Sequence, residues 1–249
     1  MTAPAATVEV TGVTGVAGAA AAALPVIPLK GLRGAIARNM SRGWQAPRVA
    51  MGVDVDVASC MAELKLRNAR DGAERMTFTT CVLKAVALAL REHERMNAWL
   101  LDDGIQCQPG VHLGLAVALD EGLMVPVIRD ADIKPLEELA RETQELASGA
   151  RAGKLTPKAY QGATFTVTNL GMTGIDWFTP VLNAPQVGIL GVSSVREQPV
   201  VREDQIRISA VTTLTLVFDH RAIDGYPAAL FLRSVREHLQ SPQRLWSAP

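Results

Sequence analysis

The sequence predicts an α+β fold, a mixed sheet with helices packed on it, within one large domain. Two observations carry this. Strand-like and helix-like segments follow one another without a regular βαβ repeat. The 249 residues are 48% hydrophobic, enough to bury a substantial core.

The elements read in order as follows. Residues 2 to 24 are mostly Ala, Thr, Val and Gly and offer little bulk to bury, so residues 1–24 are expected to form a flexible arm or linker, with the folded domain spanning 25–249. Leu29 to Ser41 has one apolar helical face carrying Ile36 and Met40. Val49 to Val57 alternates as a strand, with Val53, Val55 and Val57 on one side and Asp54 and Asp56 on the other. Ala58 to Asp71 reads as a helix ending at Gly72. Thr77 to His93 is a long apolar helix expected to be buried over much of its surface. Asn97 to Leu101 and Ile105 to Gln108 flank Asp102-Asp103-Gly104, a hairpin signal. His112 to Leu119 reads as a single strand, Met124 to Ile128 as a short extended piece around Pro126, and Pro135 to Arg151 as a charged amphipathic helix. Thr164 to Thr168, Val187 to Val192, Gln205 to Ile208 and Val211 to Phe218 complete the strands, and Asp224 caps a helix from Gly225 to Leu239.

Composition excludes several classes. Lys+Arg and Asp+Glu are equal at 25 each, so no basic excess points to nucleic acid. Cys60, Cys81 and Cys107 are far apart with no C-x-x-C, which reads as buried small side chains in a reducing compartment. The apolar stretch from Val13 to Leu24 stops at Pro25, too short for a span, and the first basic residue is Lys30, so a charged signal-peptide start is missing. A cytoplasmic protein with no membrane partner is expected. No histidine pair has metal-ligand spacing, and neither a P-loop nor a dinucleotide fingerprint occurs.

The segment that carries chemistry is Phe218-Asp219-His220-Arg221-Ala222-Ile223-Asp224-Gly225. A β-prone run delivers His220 to a turn, where a group titrating near neutrality can take and return a proton. Asp224 is close enough to brace that turn, and Gly225 is expected to allow backbone angles that a bulkier residue resists. Taken alone, the same stretch is equally a capped turn opening a helix. Three further stretches stand with it: Thr164-Phe165-Thr166-Val167-Thr168-Asn169-Leu170-Gly171; Phe178-Thr179-Pro180-Val181-Leu182-Asn183-Ala184-Pro185-Gln186; and Glu121-Gly122-Leu123-Met124-Val125-Pro126-Val127-Ile128.

Together, in this order, the four stretches resemble the catalytic domain of the dihydrolipoamide acyltransferases of 2-oxoacid dehydrogenase complexes, over about residues 26 to 246. The resemblance implies a chloramphenicol-acetyltransferase-like fold and acyl transfer between dihydrolipoamide and coenzyme A. It makes His220 the base that deprotonates a thiol, Thr168 the hydroxyl that stabilises the oxyanion, and Asp224 the partner of an arginine near the start of the domain, for which Arg33 is the candidate. Asn183 would order the loop beside the site, Asp219 and Arg221 would have structural roles, and Leu123, Met124, Val125 and Pro126 would line the pantetheine channel or, equally, form a core edge strand. Coenzyme A enters as a substrate, with no metal.

The family's site lies between subunits, so a homotrimer or a larger trimer-based assembly is implied, with a 2-oxoacid decarboxylase and dihydrolipoamide dehydrogenase as further partners. Full-length members usually carry lipoyl and subunit-binding domains. Residues 1–24 contain no lysine, so no lipoyl-lysine is expected there and the lipoyl group would be supplied by a separate protein. A second departure is Gln45-Ala46-Pro47-Arg48-Val49, where many members have Pro-His and an aromatic residue, on the route to the site. Two other readings remain open: a largely structural assembly core, and a stand-alone acetyltransferase acting on a small hydroxyl or amine.

Overall fold

The computed structural model describes residues 26, 28–70, 72, 74–119 and 122–247. The expected arm at 1–24 lies outside the described residues. The helices are α1 (Gly31–Gln45), α2 (Ala58–Asn68), α3 (Phe78–Glu92), α4 (Leu136–Arg151), α5 (Gly225–Gln240) and α6 (Gln243–Ser247). The strands are β1 (Arg48–Asp56), β2 (Ala98–Leu101), β3 (Gly104–Cys107), β4 (Leu113–Leu115), β5 (Val117–Leu119), β6 (Gly122–Met124), β7 (Val127–Ile128), β8 (Phe165–Asn169), β9 (Gly188–Val192), β10 (Arg196–Arg202) and β11 (Gln205–Asp219).

The main sheet is mixed. Its order is β1-β11-β9-β8-β4-β7, with β10 also paired to β11; β4 and β9 run parallel to β8, and the other pairings are antiparallel. The hairpin β2-β3 and the ribbon β5-β6 stand apart.

Helix α3 is the buried spine that sequence periodicity expects. Thr77 caps it in a reciprocal box with Thr80, and ten of its residues are buried. One of them is Lys84. Its ammonium donates to the carbonyls of Asp132 and Lys134, tying α3 to the turn that leads into α4. Desolvation holds the Lys84 pKa below the ordinary lysine value, opposed by the nearby Asp132 carboxylate.

Several expectations are corrected. His112 to Leu119 is not one strand: β4 stays in the main sheet, where the Ala116 amide still bonds the Val167 carbonyl of β8, and from Val117 β5 leaves it to pair with β6. Gln205 to Phe218 is not two strands but one of 15 residues, because β1 and β10 both pair across Val211. Strand β10 was missed altogether. Pro199 argues against a strand interior, but β10 pairs only with β11, where a proline is tolerated. Its turn, Glu203-Asp204, has both φ angles positive (50° and 59°), a conformation usually signalled by Asn-Gly. Cys60 and Cys81 are buried as expected; Cys107, at the end of the exposed strand β3, is not.

Candidate active site

Strand β11 ends in a tight, heavily bonded turn. The Ala222 and Ile223 amides both donate to the Asp219 carbonyl, and the His220 amide donates to the Pro47 carbonyl, at 3.0 Å. The buried Asp219 carboxylate grips Arg221 through Nη2 (2.6 Å), Nε (3.0 Å) and the Arg221 backbone amide (3.0 Å). The two residues beside His220 therefore lock the turn and leave the imidazole outside the clamp. The ring is 45% exposed, packs at 5.8 Å and 38° on Phe218, and brings Nδ1 to 3.9 Å from Asp224 Oδ1. Its nitrogens make no hydrogen bond among the described residues.

Asp224 occupies the N-cap position of α5 with an extended backbone, but its side chain makes no capping bond. Gly225 needs no special backbone freedom: it is not among the positive-φ glycines, and a Cβ there would meet only Met51 Cε at 3.5 Å. That expectation is corrected.

Thr168, on β8, lines a cavity of about 200 Å³. Ile36 and Met40 from α1, Leu123, Val125, Phe178 and Val181 supply apolar lining. The Thr168 hydroxyl makes no hydrogen bond among the described residues. The neighbouring polar groups do: Asn39 Nδ2 donates to Asn183 Oδ1 (2.7 Å), Asn183 Nδ2 to Thr166 Oγ1 (3.4 Å), and Thr166 Oγ1 to Gln186 Oε1 (2.6 Å). This chain pins the Asn183 loop to both α1 and β8. Sequence reasoning singled out Asn183 but missed Asn39, Thr166 and Gln186, whose links join residues distant in the chain. The approach of α1 to the Leu182 segment needs Gly43, where a Cβ would sit 1.9 Å from the Leu182 carbonyl oxygen.

Leu123 and Val125 separate this cavity from a second one of about 400 Å³, which Met124, Trp99 and Tyr160 also line. Pro126 lines neither; its carbonyl accepts from the Leu115 amide and anchors the segment to the sheet.

The sheet register keeps His220 and Thr168 apart. Thr168 is level with Gly191, and Gly191 with Thr215. His220 is five residues further along β11, two strands away, which is roughly 20 Å at ordinary strand rise and spacing. Arg33 belongs to the Thr168 side. It is exposed in the first turn of α1, one turn before the cavity residue Ile36, and about 20 Å of helix rise from the Pro47 end. Within one copy the expected Arg33–Asp224 ion pair does not form; among the described residues the side chain facing the Asp224 carboxylate is the His220 imidazole. The departing segment is well fixed: the Arg48 guanidinium stacks 3.4 Å over the Trp44 ring and donates to the Trp44 carbonyl.

The other histidines have structural partners. His93 Nε2 bonds Ser234 Oγ, His238 Nε2 bonds Glu92, and His112 Nδ1 accepts from the Asp130 amide. No group of three or more His, Cys, Asp or Glu that could hold a metal ion occurs among the described residues, and no described helix is long and apolar enough to cross a membrane.

Comparison with known proteins bears on this arrangement. A family model described as 2-oxoacid dehydrogenases acyltransferase (catalytic domain) matches residues 22–247. The dihydrolipoyllysine-residue acetyltransferase component of the acetoin cleaving system of Bacillus subtilis is 44% identical over 171 residues, 69% of this chain and 43% of that protein. Dihydrolipoamide acetyltransferase of Azotobacter vinelandii superposes with a TM-score of 0.85 at 36% identity, over 89% of this chain and 93% of that one. The cubic core of a pyruvate dehydrogenase multienzyme complex gives a TM-score of 0.86 at 34% identity, over 95% and 99%. Chloramphenicol acetyltransferase shares the fold, with a TM-score of 0.55 at 15% identity over 86% of this chain and 99% of that one. The chain spans about half the length of the curated relatives it matches.

Proposed function

The chain belongs to the 2-oxoacid dehydrogenase acyltransferase (catalytic domain) family, and from that premise we propose that it moves an acyl group between the thiol of a dihydrolipoyl group and the thiol of coenzyme A. The observation that carries this reading is the presence of two available groups on a rigid frame: an exposed imidazole on a locked turn, and a threonine hydroxyl in the lining of a cavity with no hydrogen bond among the described residues.

The chemistry follows from what each group offers. A thiol of pKa near 8.5 is only partly ionised at neutral pH. His220 accepts the thiol proton as the sulfur attacks the thioester carbonyl carbon. The C–S bond forms and the carbonyl π electrons move to oxygen. The Thr168 hydroxyl donates to that oxyanion, a contact of a kind worth ~3 kcal/mol of barrier. Collapse of the intermediate expels the second thiolate, which takes the proton back from the imidazolium. Acid–base balance closes without another group.

Because the register separates the two residues within a chain, we read the working site as shared: His220 from one copy and Thr168 from its neighbour, in a homotrimer or an assembly of trimers. A neighbour's Asp224 then approaches the Thr168 side, where Arg33 lies, so the arginine–aspartate pair is read across copies. The lipoyl group would arrive on a separate domain, with the 2-oxoacid decarboxylase and dihydrolipoamide dehydrogenase as further partners.

The test supplies acyl-CoA with free dihydrolipoamide, then with a separately prepared lipoylated domain, and measures acyl-dihydrolipoamide. Transfer to either supports the reading. An assembled protein that turns over neither acceptor would favour a structural core, and transfer only to small alcohols or amines would favour the stand-alone acetyltransferase.

A further inference from the structure

We propose that the cavity at Thr168 is the acyl chamber and that it selects uncharged aliphatic acyl groups, admitting chains longer than acetyl and rejecting those that end in a carboxylate. This rests on the acyltransferase reading above and deepens it.

Three observations carry it. The first is position. Thr168 is one of the residues lining the cavity, so an acyl carbonyl bonded to its hydroxyl can place its alkyl portion within it. The second is size. At ~30 Å³ for a water-sized group, a cavity of about 200 Å³ holds several carbons, more than an acetyl methyl needs.

The third is charge. None of the described lining residues is ionisable. The polar ones largely satisfy each other through the Asn39–Asn183–Thr166–Gln186 chain, which leaves at most neutral amide N–H groups for a ligand. Arg33 and Arg38, both on α1, are exposed and do not line the cavity. The residues outside the structure include no Lys, Arg or His side chain that could reach in. The cations beside the His220 turn, which a neighbouring copy would bring, are engaged within their own copy: Arg221 by Asp219, Arg95 by the Ala222 carbonyl, and Arg48 by the Trp44 ring and carbonyl. A carboxylate placed in this chamber would lose its water without gaining a cation, which is the costly case for a buried charge.

The experiment measures kcat/KM for acetyl-, propionyl-, isobutyryl- and succinyl-CoA with saturating dihydrolipoamide on the assembled full chain. The expected result places succinyl-CoA at least ~100-fold below the best uncharged acyl-CoA; any smaller gap overturns the proposal while leaving the acyltransferase reading intact. Turnover of no acyl-CoA at all overturns both. Met40→Ala, which opens the chamber at a helical position that accepts alanine, should raise the isobutyryl-to-acetyl ratio of kcat/KM by roughly fivefold or more. A smaller rise in a variant that still assembles and uses acetyl-CoA overturns the assignment of the chamber.

Discussion

At the residue scale, the proposed roles are proton transfer for His220 and oxyanion stabilisation for Thr168, and their loss should show differently. His220→Ala should lower kcat by at least ~100-fold in steady-state acyl transfer. The turn itself should survive, because the Asp219–Arg221 clamp and the backbone bond to Pro47 do not use the imidazole. Thr168→Val keeps the shape and removes the donor. It should cost ~100-fold in kcat with little change in KM, whereas Thr168→Ser should retain most activity. The base was legible in the sequence as a histidine at the end of a β-prone run. The hydroxyl was not: one strand threonine looks like another, and Thr168 stood out only through the family's motif. Asn39 and Gln186 gave no sequence signal, because their partners lie 144 and 20 residues away.

At the element scale, α1 is held by close approach. A Cβ at Gly43 would overlap the Leu182 backbone, which cannot move far without dragging the Asn183 loop. Gly43→Ala should therefore destabilise the protein by ~1–3 kcal/mol in urea unfolding and raise KM for acyl-CoA by loosening the Asn39–Asn183 bond.

At the end of α3, burial holds the His93 pKa below its ordinary value, with Glu92 opposing and Arg233 reinforcing the shift. A histidine whose folded pKa is depressed binds its proton more readily when unfolded. Its contribution to stability is full above the unfolded pKa of about 6.5 and is lost as pH falls through that value towards the folded pKa. The difference in unfolding stability between the wild type and His93→Gln should thus shrink on acidification below about pH 6.5. A difference that stays constant there would rule out the linkage.

Elements with strong local signals, such as α3 with its Thr77 cap and α4 with its amphipathic face, were readable from periodicity. Strand β10, and the break between β4 and β5, depend on partners distant in the chain, so no local pattern announces them.

At the scale of the whole molecule, the sheet is what supports a shared site. β8 and β11 are separated by β9, and their register sets the two proposed catalytic groups roughly 20 Å apart. That is too far for one copy to hold a thioester between them, whereas closed symmetry would bring the groups together without another kind of chain. Composition announced none of this; it comes from the pairing of Thr168 with Gly191 and Gly191 with Thr215.

The most direct test is complementation. His220→Ala and Thr168→Ala chains, each inactive alone, are unfolded together, refolded as a 1:1 mixture and assayed for acyl transfer to dihydrolipoamide. Random trimers with shared sites should recover about one quarter of wild-type activity, since a site is intact when both of its contributing copies are the right ones. Recovery indistinguishable from the separate variants, in mixtures shown to have co-assembled, would contradict the account.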